Sequence, residues 1–202
     1  MVKVIQLKVQ GFDNNFSYLI FKENSKKGIL IDPTGNLEVI SDALKKNNLL
    51  VKMILLTHNH PDHCELLKYF RSMGTKEFIP KKAIPGKIET INVAEINIEV
   101  LHVPGHTKDS VCYLIENNLF SGDTLFVKGV GTTTYGGNDL ELSSSLAFLS
   151  TLNKKVVLWP GHDYGGANAT LGKALKSSHI RPSKGTLEKI KEKVKAYGEK
   201  KF

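Results

Sequence analysis

The sequence predicts a mixed α/β protein folded as one domain, residues 1–202, and three observations point there. Its length suits a single hydrophobic core without help from disulfides. Short β-branched or aromatic runs alternate with helical periodicities along the chain. No linker-like stretch divides it into independent units.

The elements follow in order. Residues 4–9, 15–21 and 28–31 read as strands separated by turn residues such as Gly11, Asp13 and Asn24. Leu37, Ile40 and Leu44 recur at helical spacing, and Asn47-Asn48 ends that helix. Residues 53–56 are continuously apolar, the pattern of a strand buried on both faces, and they run straight into 57–63. Leu66, Leu67 and Phe70 mark the next helix, which Gly74 stops. In the second half, 91–93, 96–103 and Val111–Ile115 read as strands, and Asn117-Asn118 turns the chain into 119–121. A loop rich in Gly and Thr, 129–138, precedes a helix carrying Leu142, Leu146 and Leu149. Residues 156–159 form the last buried strand. Two helices close the chain, one at 171–175 and one from Thr186 with Leu187, Ile190, Val194 and Tyr197 on one face. Residues 178–202 are expected to be a basic helical extension of the domain.

Composition removes several classes. No apolar run reaches the roughly 18–20 residues of a membrane span, and the opening residues lack the sections of a secretory signal, so no membrane partner and a cytoplasmic location are expected. The two cysteines, Cys64 and Cys112, build no disulfide framework. Cys112 lies in an apolar run and reads as a small buried hydrophobe, Cys64 as a helix residue beside a candidate ligand. The formal charge of +8 is concentrated from residue 173 onward, where ten Lys/Arg face three Glu. The remaining eighteen basic and seventeen acidic residues nearly cancel, which argues against a nucleic-acid partner.

The chemistry is concentrated in Thr57-His58-Asn59-His60-Pro61-Asp62-His63. Three imidazoles and a carboxylate leave a buried strand together, and these are donors that borderline divalent metals accept. His58 and His60 can turn toward one point, and Asp62 and His63, at the start of the next helix, toward a second. Three later segments share one local pattern, a strand ending in a Gly-containing turn: Pro104-Gly105-His106, Ser121-Gly122-Asp123 and Pro160-Gly161-His162. Each alone is an ordinary turn. In this order, after the first motif, they make a set.

HxHxDH followed by PGH, SGD and PGH resembles the metallo-β-lactamase superfamily over about residues 4–175. The resemblance implies a four-layer αββα sandwich, two mixed β-sheets face to face with helices outside and metals at one edge. It implies that His58, His60 and His106 hold one ion, that Asp62, His63 and His162 hold another, and that Asp123 bridges them. Asp32 matches a position that hydrogen-bonds a ligand histidine and fixes its tautomer, although a turn residue before Pro33 accounts for it equally well. The implied cofactors are two divalent ions, zinc, iron or manganese. Water between such ions ionises near a pKa of about 7, so metal-bound water and Asp62 are the expected catalytic groups. No GxSxG elbow offers a side-chain nucleophile instead.

Within the superfamily the chain is most similar to hydroxyacylglutathione hydrolases (glyoxalase II) and persulfide dioxygenases, through Asp13-Asn14-Asn15-Phe16-Ser17-Tyr18, His106-Thr107-Lys108-Asp109-Ser110 and residues 120–131. The stretch 160–172 leans toward the dioxygenases, whose single Fe(II) would fall to His58, His106 and Asp123. Both branches carry a basic residue after the Gly-x-Gly that follows the metal-binding Asp, and here Thr132 stands there. Tyr164 matches a substrate-contacting position, and Tyr135 would do so if the loop has gained one residue. The expectation is thus a metallo-hydrolase of a small-molecule thioester, with a dioxygenase of thiol-derived substrates as the alternative and a lactonase behind both. Flavodiiron proteins are set aside because His60 stands where they carry Glu, and RNA-processing members because the chain is too short for their insertions. Many relatives pair as homodimers. The basic tail itself reads as a solvated helix face, and the resemblance to glyoxalase II, whose basic residues near the C-terminus contact glutathione, implies that Lys184, Lys189, Lys191 or Lys193 would draw an anionic thiol carrier toward the site.

Overall fold

The computed structural model describes residues 1–178. The helix expected from Thr186 and the four lysines named above lie outside the described residues. Strands β1 (Val2–Lys8), β2 (Phe16–Lys22), β3 (Lys27–Ile31), β4 (Leu50–Leu55) and β5 (Lys76–Phe78) form one sheet in sequence order. The second sheet holds β6 (Ile88–Val93), β7 (Ile96–His102), β8 (Val111–Ile115), β9 (Asn118–Gly122), β10 (Val157–Pro160) and β11 (Ala169–Thr170), also in order. Both sheets are mixed. The pairs β3–β4, β4–β5 and β9–β10 are parallel, and the others are antiparallel.

Alternate side chains of each strand are sorted to opposite faces, and in β2, β3 and β8 both faces are largely buried. Tyr18, Ile20, Ile29, Ile31 and Leu55 meet Ile98, Val100, Val111, Tyr113 and Phe120 between the sheets. On the outer face of the first sheet, Leu19, Leu30 and Ile54 pack with Ile40 of α1 (Leu37–Lys46) and Phe70 of α3 (Leu67–Ser72). On the outer face of the second, Leu101, Leu119 and Leu158 pack with Leu142 and Leu146 of α4 (Asp139–Leu149) and Ala174 of α5 (Leu171–Ser177). The result is the expected helix–sheet–sheet–helix sandwich. Each fully buried Leu or Ile contributes roughly 1.5–3 kcal/mol. Cys112 belongs to the outer cluster of the second sheet, where burial pushes its thiol pKa up. Cys64 is half-buried against the cluster containing Leu67.

The one-turn helix α2 (Pro61–Cys64) follows β4 with proline in its first turn, a position where the missing N–H costs nothing. Two elements were not anticipated. β5 and β11 span three and two residues, too short to show alternation. The strand expected to be buried throughout at 53–56 begins earlier, at Leu50, which is 65% exposed, and Met53 is only partly buried, while Ile54, Leu55 and Leu56 are fully buried. Among the described residues no helix is long and apolar enough to cross a membrane.

Candidate metal centre

Strand direction brings the candidate residues to one edge. β3 and β4 run parallel and deliver Asp32 and the segment 57–63 side by side. In the other sheet, β9 and β10 run parallel and deliver Asp123 and His162, while His106 follows β7. Carboxyl ends of parallel strands open a crevice of this kind. The seven residues expected as ligands all converge there.

Two groups of donors face each other. His58 Nε2, His60 Nδ1 and His106 Nε2 form a triangle with sides of 3.0, 3.1 and 3.3 Å. His63 Nε2 lies 3.3 Å from His162 Nε2, and Asp62 Oδ2 lies 3.7 and 3.4 Å from those two nitrogens. Asp123 Oδ2 stands between the groups, 3.2 Å from His162 Nε2 and 3.8 Å from His106 Nε2.

The outer nitrogens of these rings already have acceptors. His58 Nδ1 donates to Thr57 Oγ1 at 3.0 Å, and that hydroxyl donates onward to Asp32 Oδ2 at 2.7 Å. His63 Nδ1 donates to Asp32 Oδ2 at 3.0 Å. His106 Nδ1 donates to the Thr132 carbonyl at 2.6 Å, and His162 Nδ1 to the Asp13 carbonyl at 2.8 Å. The longest of the set, 3.5 Å, runs from His60 Nε2 to the Tyr135 carbonyl. With its proton held outside, a neutral imidazole presents a lone pair inside. Five such lone pairs and two carboxylates then crowd together with no donor among them.

That arrangement repels itself unless positive charge enters. Asp123 Oδ1 is buried and accepts no hydrogen bond. Nitrogens bound to one tetrahedral ion at about 2.0–2.1 Å lie roughly 3.3 Å apart, close to the spacings here. The cluster is therefore suited to metal binding, with three overlapping sets of donors within 4.8 Å of one another. Protonation equilibria express the same demand for cations. Burial alone would lower His162, yet Asp123 and Asp62 bring it up to about 10. Burial also opposes protonation of His63, but Asp123 and Asp32 hold it well above an ordinary imidazole. His58 moves the other way, driven down by burial and by the neighbouring His63 charge. Burial pushes Asp62 up, but His162, His63 and Asn15 together bring it to about 2.

Glycines let the backbone come this close. A Cβ on Gly161 would collide with Asp123 Oδ1 and lie 2.7 Å from His63 Cε1. One on Gly105, where φ is +146°, would run into the backbone of Leu142.

The remaining candidates are placed differently. Asp32, itself at φ +49°, binds Thr57 N–H and hydroxyl as well as His63. Tyr164 stacks on His162 with centroids 5.2 Å apart, and its hydroxyl donates to the Asp13 carboxylate. The Tyr135 side chain is 73% exposed, and only its carbonyl approaches the centre. Thr132, the residue in place of a basic one, is exposed, with its hydroxyl 2.8 Å from that of Thr134. Sequence reasoning missed Asn15, whose Nδ2 donates to the Asp62 carbonyl and Oδ2 at 2.9 and 3.2 Å. It also missed Thr57. Both stand inside motifs already singled out, so their position, though not their partners, was visible.

Comparison with known proteins agrees with this fold. A family model described as "Metallo-beta-lactamase superfamily" matches residues 10–73 and 72–162. A probable hydroxyacylglutathione hydrolase, glo2, of Schizosaccharomyces pombe is 32% identical over 184 residues, covering 84% of this chain and 72% of that protein. The crystal structure of ETHE1 from Myxococcus xanthus superposes with a TM-score of 0.77 at 27% identity, covering 94% of this chain and 90% of that one. A di-iron-bound form of TTHA1623 gives a TM-score of 0.67 at 25% identity, covering 88% and 100% respectively.

Proposed function

The chain belongs to the metallo-β-lactamase superfamily, and from that premise we propose that it is a hydrolase that cleaves a small-molecule thioester at a centre of two divalent ions. The observation that carries the two-ion reading is the second complete donor group. Asp62, His63 and His162 face the His58, His60 and His106 triangle, with Asp123 Oδ2 between them. Zinc, iron and manganese all accept this donor set.

Bound ions would supply a water acidified toward a pKa of about 7 and Lewis-acid stabilisation of the oxyanion. The chain's own residues prepare the place for that chemistry. Asp32, Thr57 and the carbonyls of Thr132 and Asp13 hold the outer imidazole protons, so the inner nitrogens stay aimed without reorganisation. Asp62 is the more exposed of the two carboxylates at the centre, its side chain 23% exposed against 10% for Asp123, and it orients the attacking water by accepting its hydrogen bond. Tyr164, stacked beside His162, would line the approach for the substrate, and Tyr135 brings its carbonyl to His60 with its side chain in solvent.

The test is metal content and thioester turnover of the purified chain loaded with zinc or with iron. Two ions per chain and cleavage of lactoylglutathione or of a smaller neutral thioester are expected. One ion per chain with no thioester or lactone cleavage under either loading overturns the reading. The second reading is a single-iron persulfide dioxygenase, which the stretch 164–172 favours. It would use His58, His106 and Asp123 and leave the Asp62, His63 and His162 group without a task. Oxygen consumption by the ferrous protein on low-molecular-weight persulfides decides for it.

A further inference from the structure

We propose that Asn15 is a positioning residue that sets whether the centre holds one ion or two, a role that rests on the two-ion reading above. Asp32 braces both donor groups, His63 directly and His58 through the Thr57 hydroxyl, and the remaining braces come from different parts of the chain. The triangle of His58, His60 and His106 leans on the Thr57 hydroxyl and on the carbonyls of Tyr135 and Thr132. Asp62 and His162 lean on the short stretch before β2. Asn15 Nδ2 donates to Asp62 twice, at its carbonyl and at Oδ2. Its backbone bridges to His162, and Phe16 N–H donates to the Gly161 carbonyl at 2.8 Å. Asp13, two residues earlier, receives the His162 Nδ1 proton on its carbonyl. One short segment thereby joins a ligand of the first half of the chain to a ligand of the second.

The direction of the amide is fixed by its surroundings. Reversed, it would set Oδ1 against two oxygens of Asp62. As it stands, Oδ1 is buried and accepts nothing, so the side chain acts through its two N–H bonds alone. Those bonds keep Asp62 Oδ2 turned toward His162 Nε2 at 3.4 Å. Without them the carboxylate, already partly exposed, is free to rotate toward solvent. The other donor triangle has no hydrogen bond to Asn15 among the described residues, so the loss stays on one side of the centre.

Asn15→Leu replaces the amide with a side chain of the same branching and removes only the donors, and Asn15→Ala removes the bulk as well. The chelator-stripped proteins would be titrated with zinc and with cobalt, reading two dissociation constants by calorimetry and the cobalt spectrum. In both variants one of the two constants, that of the Asp62, His63 and His162 group, should rise about 10–100-fold, the usual effect of removing a residue that orients a ligand. The other constant should change less than about twofold, and the melting temperature of the stripped Leu variant should stay near that of the parent. Two constants that rise together mean a general loosening and overturn the proposal, as do two constants that do not move. A parent protein that binds one ion overturns the two-ion reading itself, and this inference with it.

Discussion

Asp32 accepts hydrogen bonds from Thr57 N–H, the Thr57 hydroxyl and His63 Nδ1, and does so from a left-handed backbone conformation. Such strain persists where surrounding bonds over-determine it. Asp32→Ala leaves those three buried donors without an acceptor, so urea unfolding of the chelator-treated protein should show a loss of roughly 3 kcal/mol. The same variant should bind zinc about 10–100-fold more weakly, because the His63 ring is no longer held in one tautomer. At this scale the seven candidate ligands stood out in the sequence because their types are rare and their spacing is tight. Asp32 could be read equally as a turn residue, and Asn15 as one polar residue among several. Their meaning lies in partners 25 to 47 positions away, which no local pattern encodes.

Gly105 ends the turn after β7, and its α-carbon lies against the backbone of Leu142 in α4. Gly105→Ala sets a methyl group into that backbone at a φ that L-residues rarely adopt, so α4 must move away from the His106 turn. A loss of about 3 kcal/mol or more is expected in thermal or urea unfolding. Gly161→Ala behaves differently. Its added methyl meets the Asp123 carboxylate and the His63 ring, so weakened metal binding measured by titration should exceed any change in the stability of the chelator-treated protein. Elements with a clear apolar pattern were readable in advance, among them α1 and β8. The short edge strands β5 and β11 were not, since pairing with a neighbour defines them and their own composition does not.

The described residues are arranged so that the first sheet is built from residues before 79 and the second from residues after 87. The crowded lone pairs and carboxylates of the candidate ligands at the sandwich edge are satisfied by bound cations, or without them by protons on His63 and His162. Chelation should therefore lower the melting temperature by something on the order of 10 °C per ion, given about 4 kcal/mol for a ligand at a thousandfold its Kd. Calorimetry with and without added zinc checks this. The order of the sheets also means that, among the described residues, the chain passes from one to the other once, through residues 79–87, where Lys81 and Lys82 are exposed. His58, His60, Asp62 and His63 come from one side of that passage, and His106, Asp123 and His162 from the other. Trypsin cutting at Lys81 or Lys82 would leave two fragments, each with an incomplete coordination sphere. Their reassembly after separation should tighten as free zinc is raised, with the ion acting as a clasp between two half-proteins.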